Sequence, residues 1–245
     1  MKGEFMSLNQ EKLIRLFKTI ALSLFAANAY AAKANEAFPE WEDYVANVET
    51  KQLQSDDVFE LHPDIDKVYL ALGWDPARGH DSIDIDSNIH VLKNNKISKR
   101  ISYSNSNYTT GKFGSVKLIE HKGDNLTGEG EGDDETIVIN LKKIAKNKRK
   151  ITDLVGSIVS YSGHTFDKLS NAFCRIYIIE KGQQKELARF SLNDLGPVQG
   201  LVFASFHRSH DGSWSFKAIG ETTDRARVAS SLDSKIIELK RTSQL

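Results

Sequence analysis

Between Lys122 and Thr136 the chain reads Gly123-Asp124-Asn125-Leu126-Thr127-Gly128-Glu129-Gly130-Glu131-Gly132-Asp133-Asp134-Glu135, with six carboxylates and no lysine or arginine. Acids this close repel one another, and their pKa values rise unless something positive compensates them. Glycines alternate with the acids, so the backbone can turn tightly and bring carbonyl oxygens inward. A hard divalent cation suits such a stretch, and calcium accepts six to eight oxygen ligands in flexible geometry. The stretch holds no histidine or cysteine, which argues against zinc and copper. Acidic runs are more often solvated loops or disordered tails. Here, however, Val116-Lys117-Leu118-Ile119 precedes the run and the β-branched Thr136-Ile137-Val138-Ile139-Asn140-Leu141 follows it. The run is therefore a connection between two strands, and clustered charge inside a folded domain needs a counter-ion.

A second pair of acids lies upstream. From Ser82 to Leu92, Ile83, Ile85, Ile89 and Val91 interleave with Asp84, Asp86, Asn88 and His90. In a strand this alternation puts Asp84 and Asp86 on one face. Aspartate is disfavoured in strands, so two of them on one face want a reason beyond exposure. An EF-hand does not supply it: Ile89 stands where that loop needs glycine, and Asn95 where it needs the bidentate glutamate. Gly128, Gly130 and Gly132 do not form a phosphate loop, because the intervening acids repel phosphate and no strand-to-helix context follows.

Elsewhere the pattern is mainly β. Strands are expected at Val58-Phe59-Glu60-Leu61, 66–74, 151–161, 173–180, 185–192, 201–207 and 214–219. Asn94-Asn95, Lys181-Gly182 and Asp211-Gly212 mark hairpin turns. Residues 75–80 read as a turn-rich loop and 100–115 as a long polar loop. Residues 165–169 read as a helical turn with Phe166 and Leu169 inward. A C-terminal helix is expected over 224–241, with Val228, Leu232, Ile236 and Leu239 on one face. His207 and His210 sit at a hairpin end without further ligands and read as exposed polar residues. Asn107-Tyr108-Thr109 and Asn125-Leu126-Thr127 match the glycosylation sequon by chance.

Residues 1–50 form a separate segment. Leu13, Leu16, Phe17, Ile20, Ala21, Leu24 and Phe25 recur at helical spacing opposite Lys12, Arg15 and Lys18, which predicts an amphipathic helix over 9–34. Such a helix packs on a neighbouring domain or rests on a membrane surface. A competing reading makes 1–31 an export signal cleaved after Ala29-Tyr30-Ala31. The apolar stretch is too short for a transmembrane span. Residues 36–50 predict a short second helix leading to a linker.

The 33 basic and 33 acidic residues balance, which removes the general electrostatic argument for nucleic-acid binding. The single cysteine, Cys174, lies in an apolar strand and reads as a buried side chain rather than a nucleophile. No Ser/His/Asp or Cys/His arrangement stands out. A calcium- or magnesium-dependent hydrolase would need an open coordination position and a nearby base, for which only His90 and His121 offer themselves.

Val68-Tyr69-Leu70-Ala71-Leu72-Gly73-Trp74-Asp75, then Ile83-Asp84-Ile85-Asp86, then the acidic stretch 123–135, then Trp214-Ser215-Phe216-Lys217-Ala218-Ile219-Gly220 resemble the TerD family of tellurium-resistance and stress proteins. The resemblance covers about residues 53–235 in motif order. It implies a two-sheet β-sandwich over 53–245, with residues 1–50 as an N-terminal helical extension. It also implies a non-catalytic module binding calcium, typically two ions. The implied metal ligands are Asp84, Asp86, Asp124, Asn125, Glu129, Glu131, Asp133, Asp134 and Glu135, with Asp75 as a further ligand or a structural cap. A cytoplasmic role in tellurite resistance and stress response is implied, with other tellurium-resistance or stress proteins as partners. One departure is Ser82, which stands where the family often has an acid, with Asp81 one place earlier.

Overall fold

The computed structural model describes residues 38–79, 82–147, 150–193 and 195–245. The expected helix over 9–34, the signal-peptide reading and Asp81 lie outside these residues. Residues 45–245 form one compact unit. Helix α1 (Trp41–Asn47) is the expected short helix, with the Trp41 and Tyr44 rings stacked at 5.9 Å.

The larger unit is built from two sheets. The seven-stranded sheet has the order β1-β11-β10-β3-β8-β7-β6 and the six-stranded sheet the order β2-β13-β12-β9-β4-β5. In the first are β1 (Lys51–Gln52), β3 (Val68–Pro76), β6 (Asn107–Thr110), β7 (Val116–His121), β8 (Glu135–Ile139), β10 (Leu169–Glu180) and β11 (Gln183–Ser191). In the second are β2 (Val58–Glu60), β4 (Ile85–Lys93), β5 (Lys96–Ile101), β9 (Ile151–Ser160), β12 (Gly200–Arg208) and β13 (Trp214–Thr223). Every named pairing is antiparallel except β1 with β11.

The β4–β5 hairpin shows how local chemistry sets register. Its turn is Asn94-Asn95, with φ of 50° and 60°. Two successive positive φ values match the right-handed twist of the flanking strands, and asparagine tolerates them. That turn pairs Lys93 with Lys96 and His90 with Arg100.

The six-stranded sheet is covered on both faces. On one side the sandwich core brings Phe203 of β12 and Leu70 of β3 against Gly156 of β9, where a Cβ would stand 2.5 Å from the Phe203 ring. On the other side Leu232, Ile236 and Leu239 close over Leu92, Val155, Val159 and Val202. Leu232 ends a 3₁₀ turn (Ala229–Leu232), and the other two belong to helix α3 (Asp233–Arg241). Burying each of these side chains contributes about 1.5–3 kcal/mol relative to exposure. Double coverage explains why β4 and β9 are buried almost throughout, as in sheets packed on both faces. It also places polar side chains in the interior: Asp86, Ser87, Asn88 and His90 are all buried.

Several expectations are corrected. The polar stretch 100–115 is not all loop, because β6 pairs with β7 within it. β3 runs on to Pro76, two residues into the expected loop, through pairing with Leu169 and Ser170. The C-terminal helix is shorter than its apolar spacing suggests: residues 224–232 precede it, the last four as the 3₁₀ turn, and Val228 is exposed rather than inward. A further helix, α2 (Leu141–Asn147), follows β8 and buries Leu141 and Ile144.

Candidate metal centre

Asp84 immediately precedes β4 and Asp86 is the second residue of that strand. Their spacing of two keeps both carboxylates on one side of the chain. Asp124 comes from the loop joining β7 to β8. One carboxylate oxygen from each of Asp84, Asp86 and Asp124 lies within 4.8 Å of the others. The three differ in exposure: Asp86 is buried, Asp84 half-buried and Asp124 exposed, so the cluster opens outward on the loop side. Tyr103 and Tyr161, edge to face at 6.0 Å, are partly exposed, and Tyr103 feels the charge of Asp86 and Asp124.

Glu135 stands beside this group from the first position of β8. It is 2 % exposed. Its Oε2 accepts hydrogen bonds from the backbone N–H and the hydroxyl of Ser87, at 2.7 and 2.8 Å. Ser87 is on β4, so this carboxylate ties the two sheets together. His121 Nε2 of β7 stands 3.5 Å from the same oxygen.

The electrostatics are those of an uncompensated site. Burial first, then the neighbouring carboxylates Asp124 and Glu135, push Asp84 up to about 6. Burial, then Glu135, Asp84 and Asp124, push Asp86 up to about 8. Asp124 is raised by burial and Glu135. Two oxygens, Asp84 Oδ1 and Glu135 Oε1, are buried with no hydrogen-bond donor. Buried acceptors without partners are rare in folded proteins, and a bound cation would satisfy both. The donor set is all oxygen and suits a hard cation.

The other acids of the stretch have different work. Asp134 Oδ2 accepts from the Trp74 N–H at 2.9 Å, and the Asp134 N–H donates to the Leu72 carbonyl at 2.9 Å. Both contacts anchor the loop to β3. Asn125 Nδ2 donates to Asp134 Oδ1 at 2.7 Å, while Asn125 Oδ1 accepts from the N–H groups of Thr127 and Gly128, each at 3.0 Å. Asn125 thus folds the loop on itself. Gly128, at φ 69°, lies against the Trp74 indole, where a Cβ would fall 2.3 Å from Nε1. Asp133 accepts from Arg175 Nε and Nη2 of β10, both at 2.7 Å. The run has no basic residue of its own, so this partner comes from β10, which lies in the same sheet as β8 with β3 between them. Glu129 and Glu131 are exposed. Asp75 accepts from Asn171 Nδ2 at 2.8 Å.

Of the nine residues expected as ligands, the structure gathers Asp84, Asp86 and Asp124, with Glu135 next to them. Asn125, Asp133 and Asp134 hold the loop in place, and Glu129 and Glu131 lie outside the cluster. His121, offered by the sequence as a base, stands against Glu135 instead, and Ser87 joins that carboxylate as a partner the sequence does not signal. The small hydroxyl on a strand carried no signal of its own, because its role depends on which residue the opposite sheet presents.

The TerD domain family matches residues 50–229. The chain belongs to the TerD family. The tellurium resistance protein TerZ of Serratia marcescens is 34% identical over 184 residues, covering 71% of this chain and 88% of that protein. General stress protein 16U of Bacillus subtilis is 34% identical over 172 residues, covering 68% and 86%. A crystal structure of a TerD homologue from Streptomyces coelicolor has the same fold, with a TM-score of 0.54 at 18% identity, covering 69% of this chain and 95% of that one. Among the described residues no helix is long and apolar enough to cross a membrane.

Proposed function

We propose that this TerD-family chain is a non-catalytic calcium-binding module, in which Asp84, Asp86 and Asp124 hold the ion and Glu135 turns its free oxygen toward the same charge. The observation that carries the reading is the convergence of three carboxylates within 4.8 Å from two separate segments, with buried, donor-less oxygens on Asp84 and Glu135. Calcium would supply the missing positive charge and cross-link the β7–β8 loop to β4. The nearest base, His121, is 4 % exposed and faces Glu135, which supports binding over catalysis. The names of the relatives, tellurium resistance and general stress proteins, support a role in tellurite resistance and stress response. By the same resemblance the module acts in the cytoplasm, alongside other proteins of that response.

Titration of the metal-stripped chain with calcium, followed by melting, tests this. At a hundredfold excess over Kd the ion stabilises the fold by about 2.7 kcal/mol, a rise in Tm of roughly 5–11 °C for a domain of this size. Asp86→Asn raises the Tm of the stripped chain by removing a buried charge and its repulsion from Glu135, Asp84 and Asp124, and abolishes the calcium-dependent rise. Asp133→Asn lowers the Tm of the stripped chain but leaves the calcium-dependent rise in place. An unchanged Tm at millimolar calcium refutes the reading.

A further inference from the structure

The opposite end of β4 carries the opposite charge. Asp86 pairs with Val159 near the end of β9, while Lys93 pairs with Ile151 at its start. Seven residues of strand separate these levels, about 23 Å at roughly 3.3 Å per residue. At the far level the Asn94 turn, the start of β9 and the end of β12 enclose a cavity of about 510 Å³. Lys150, His207, Arg208 and His210 line it, together with Thr152 and Ser209. No carboxylate is among the described residues of its wall.

The acids nearby are accounted for. Asp153 lies behind His207, fully buried, and accepts from His207 Nδ1 at 2.8 Å, Lys240 Nζ at 2.8 Å and the Thr152 hydroxyl at 2.7 Å. Burial would raise its pKa, but those donors outweigh burial and hold it below the usual carboxylate range. An ionised Asp153 can only accept, so the His207 proton sits on Nδ1 and the other ring nitrogen is left for the cavity. Asp211 accepts from the Ser213 N–H and hydroxyl, at 3.0 and 2.7 Å.

Arg208 brings a guanidinium to the cavity wall. It is half-buried, and its Nε is buried without a hydrogen-bond acceptor. Leaving a donor of a charged group unsatisfied is more costly than leaving a neutral one. Guanidinium offers a planar fork that matches phosphate oxygens, and lysine adds a mobile point charge. Lys150 is exposed at the rim. The cavity volume falls in the range of sites for small organic ligands rather than single ions.

We propose that this cavity binds a small phosphorylated molecule through its phosphoryl group, with Arg208 and Lys150 as the main charged contacts and His207 and His210 at its edge. The site lies at the other pole from the carboxylate cluster and does not depend on calcium.

Calorimetric titration of the full chain with inorganic phosphate, pyrophosphate and ADP at low salt tests it. Saturable binding of pyrophosphate or ADP is expected, reduced about tenfold or more by Arg208→Gln and by Lys150→Gln. Lys112→Gln, an exposed lysine outside the cavity wall, leaves it unchanged. Lys150→Gln lies at the surface and keeps the test valid should Arg208→Gln fail to fold. Equal affinity for pyrophosphate and ADP assigns recognition to the phosphoryl group alone, whereas tighter ADP binding extends it to the nucleoside. Absence of binding by all three probes overturns the proposal. So does an equal loss in Lys112→Gln, or full affinity in both cavity variants.

Discussion

Replacing Asp153 by asparagine removes the charge that joins helix α3 to the sheet. Asp153 is fully buried in β9, and Lys240 of α3, with its side chain 16 % exposed, reaches it at 2.8 Å. His207 and Thr152 complete its hydrogen bonds. Breaking a buried pair by removing one partner costs roughly 3–5 kcal/mol, because the other charge stays desolvated. Lys240 keeps a path to water along its flexible stem, so its charge is partly rehydrated, and the cost falls to about 2–4 kcal/mol. For a domain of this size that is a fall in Tm of roughly 4–16 °C. Urea unfolding of Asp153→Asn, Lys240→Met and the double variant measures it. The double variant should be less destabilised than the sum of the singles, with a coupling of about 1–3 kcal/mol. A cost under about 0.5 kcal/mol for Asp153→Asn, or strict additivity, refutes the claim that this pair clamps α3 to the sheet.

Gly128→Ala forces a side chain into the Trp74 indole at a positive φ and should lower metal-free stability by on the order of 2 kcal/mol. Thermal melting of the stripped chain reads it, and an unchanged Tm counts against the loop–indole contact. Asp233 gives an acid-dependent contribution. Burial opposes its ionisation, but His90 and Arg100 overcome it and hold the carboxyl at about 2. His90 Nδ1 stands 3.5 Å away and burial lowers its own pKa, so the pairing rests mainly on Arg100, whose Nε donates at 2.8 Å. A depressed folded pKa stabilises above the unfolded value near 3.9 and is lost as pH falls through about 2. With solvent screening this amounts to about 1–2 kcal/mol. Asp233→Asn should therefore flatten the loss of stability between about pH 4 and 2, measured by urea unfolding, and an identical acid limb refutes it.

Much of this architecture was legible in the chain. Alternating β-branched residues marked β3, β4, β9, β10, β12 and β13, since a period of two has one meaning in an extended backbone. Asn94-Asn95 marked a turn because few residues accept positive φ. The apolar spacing carries the C-terminal helix back over Val228, yet that side chain stays exposed and residues 229–232 form a 3₁₀ turn instead. The β6 strand was missed because Asn107-Tyr108-Thr109-Thr110 carries little apolar signal at a sheet edge.

In the candidate metal centre the division is sharper. Glycine-spaced acids with no balancing base in their own segment predict compensation, and an all-oxygen donor set would favour a hard cation, because charge and ligand type are properties of the residues alone. Which acids come together is a matter of distance between segments remote in sequence. Arg175 of β10 takes Asp133, the Trp74 backbone takes Asp134, and Ser87 takes one oxygen of Glu135. What this leaves without a donor is the cluster of Asp84, Asp86 and Asp124 with the other oxygen of Glu135, the set proposed to hold the cation. The packing of two sheets decided that partition, since a carboxylate settles on whichever donor the fold brings within hydrogen-bond reach.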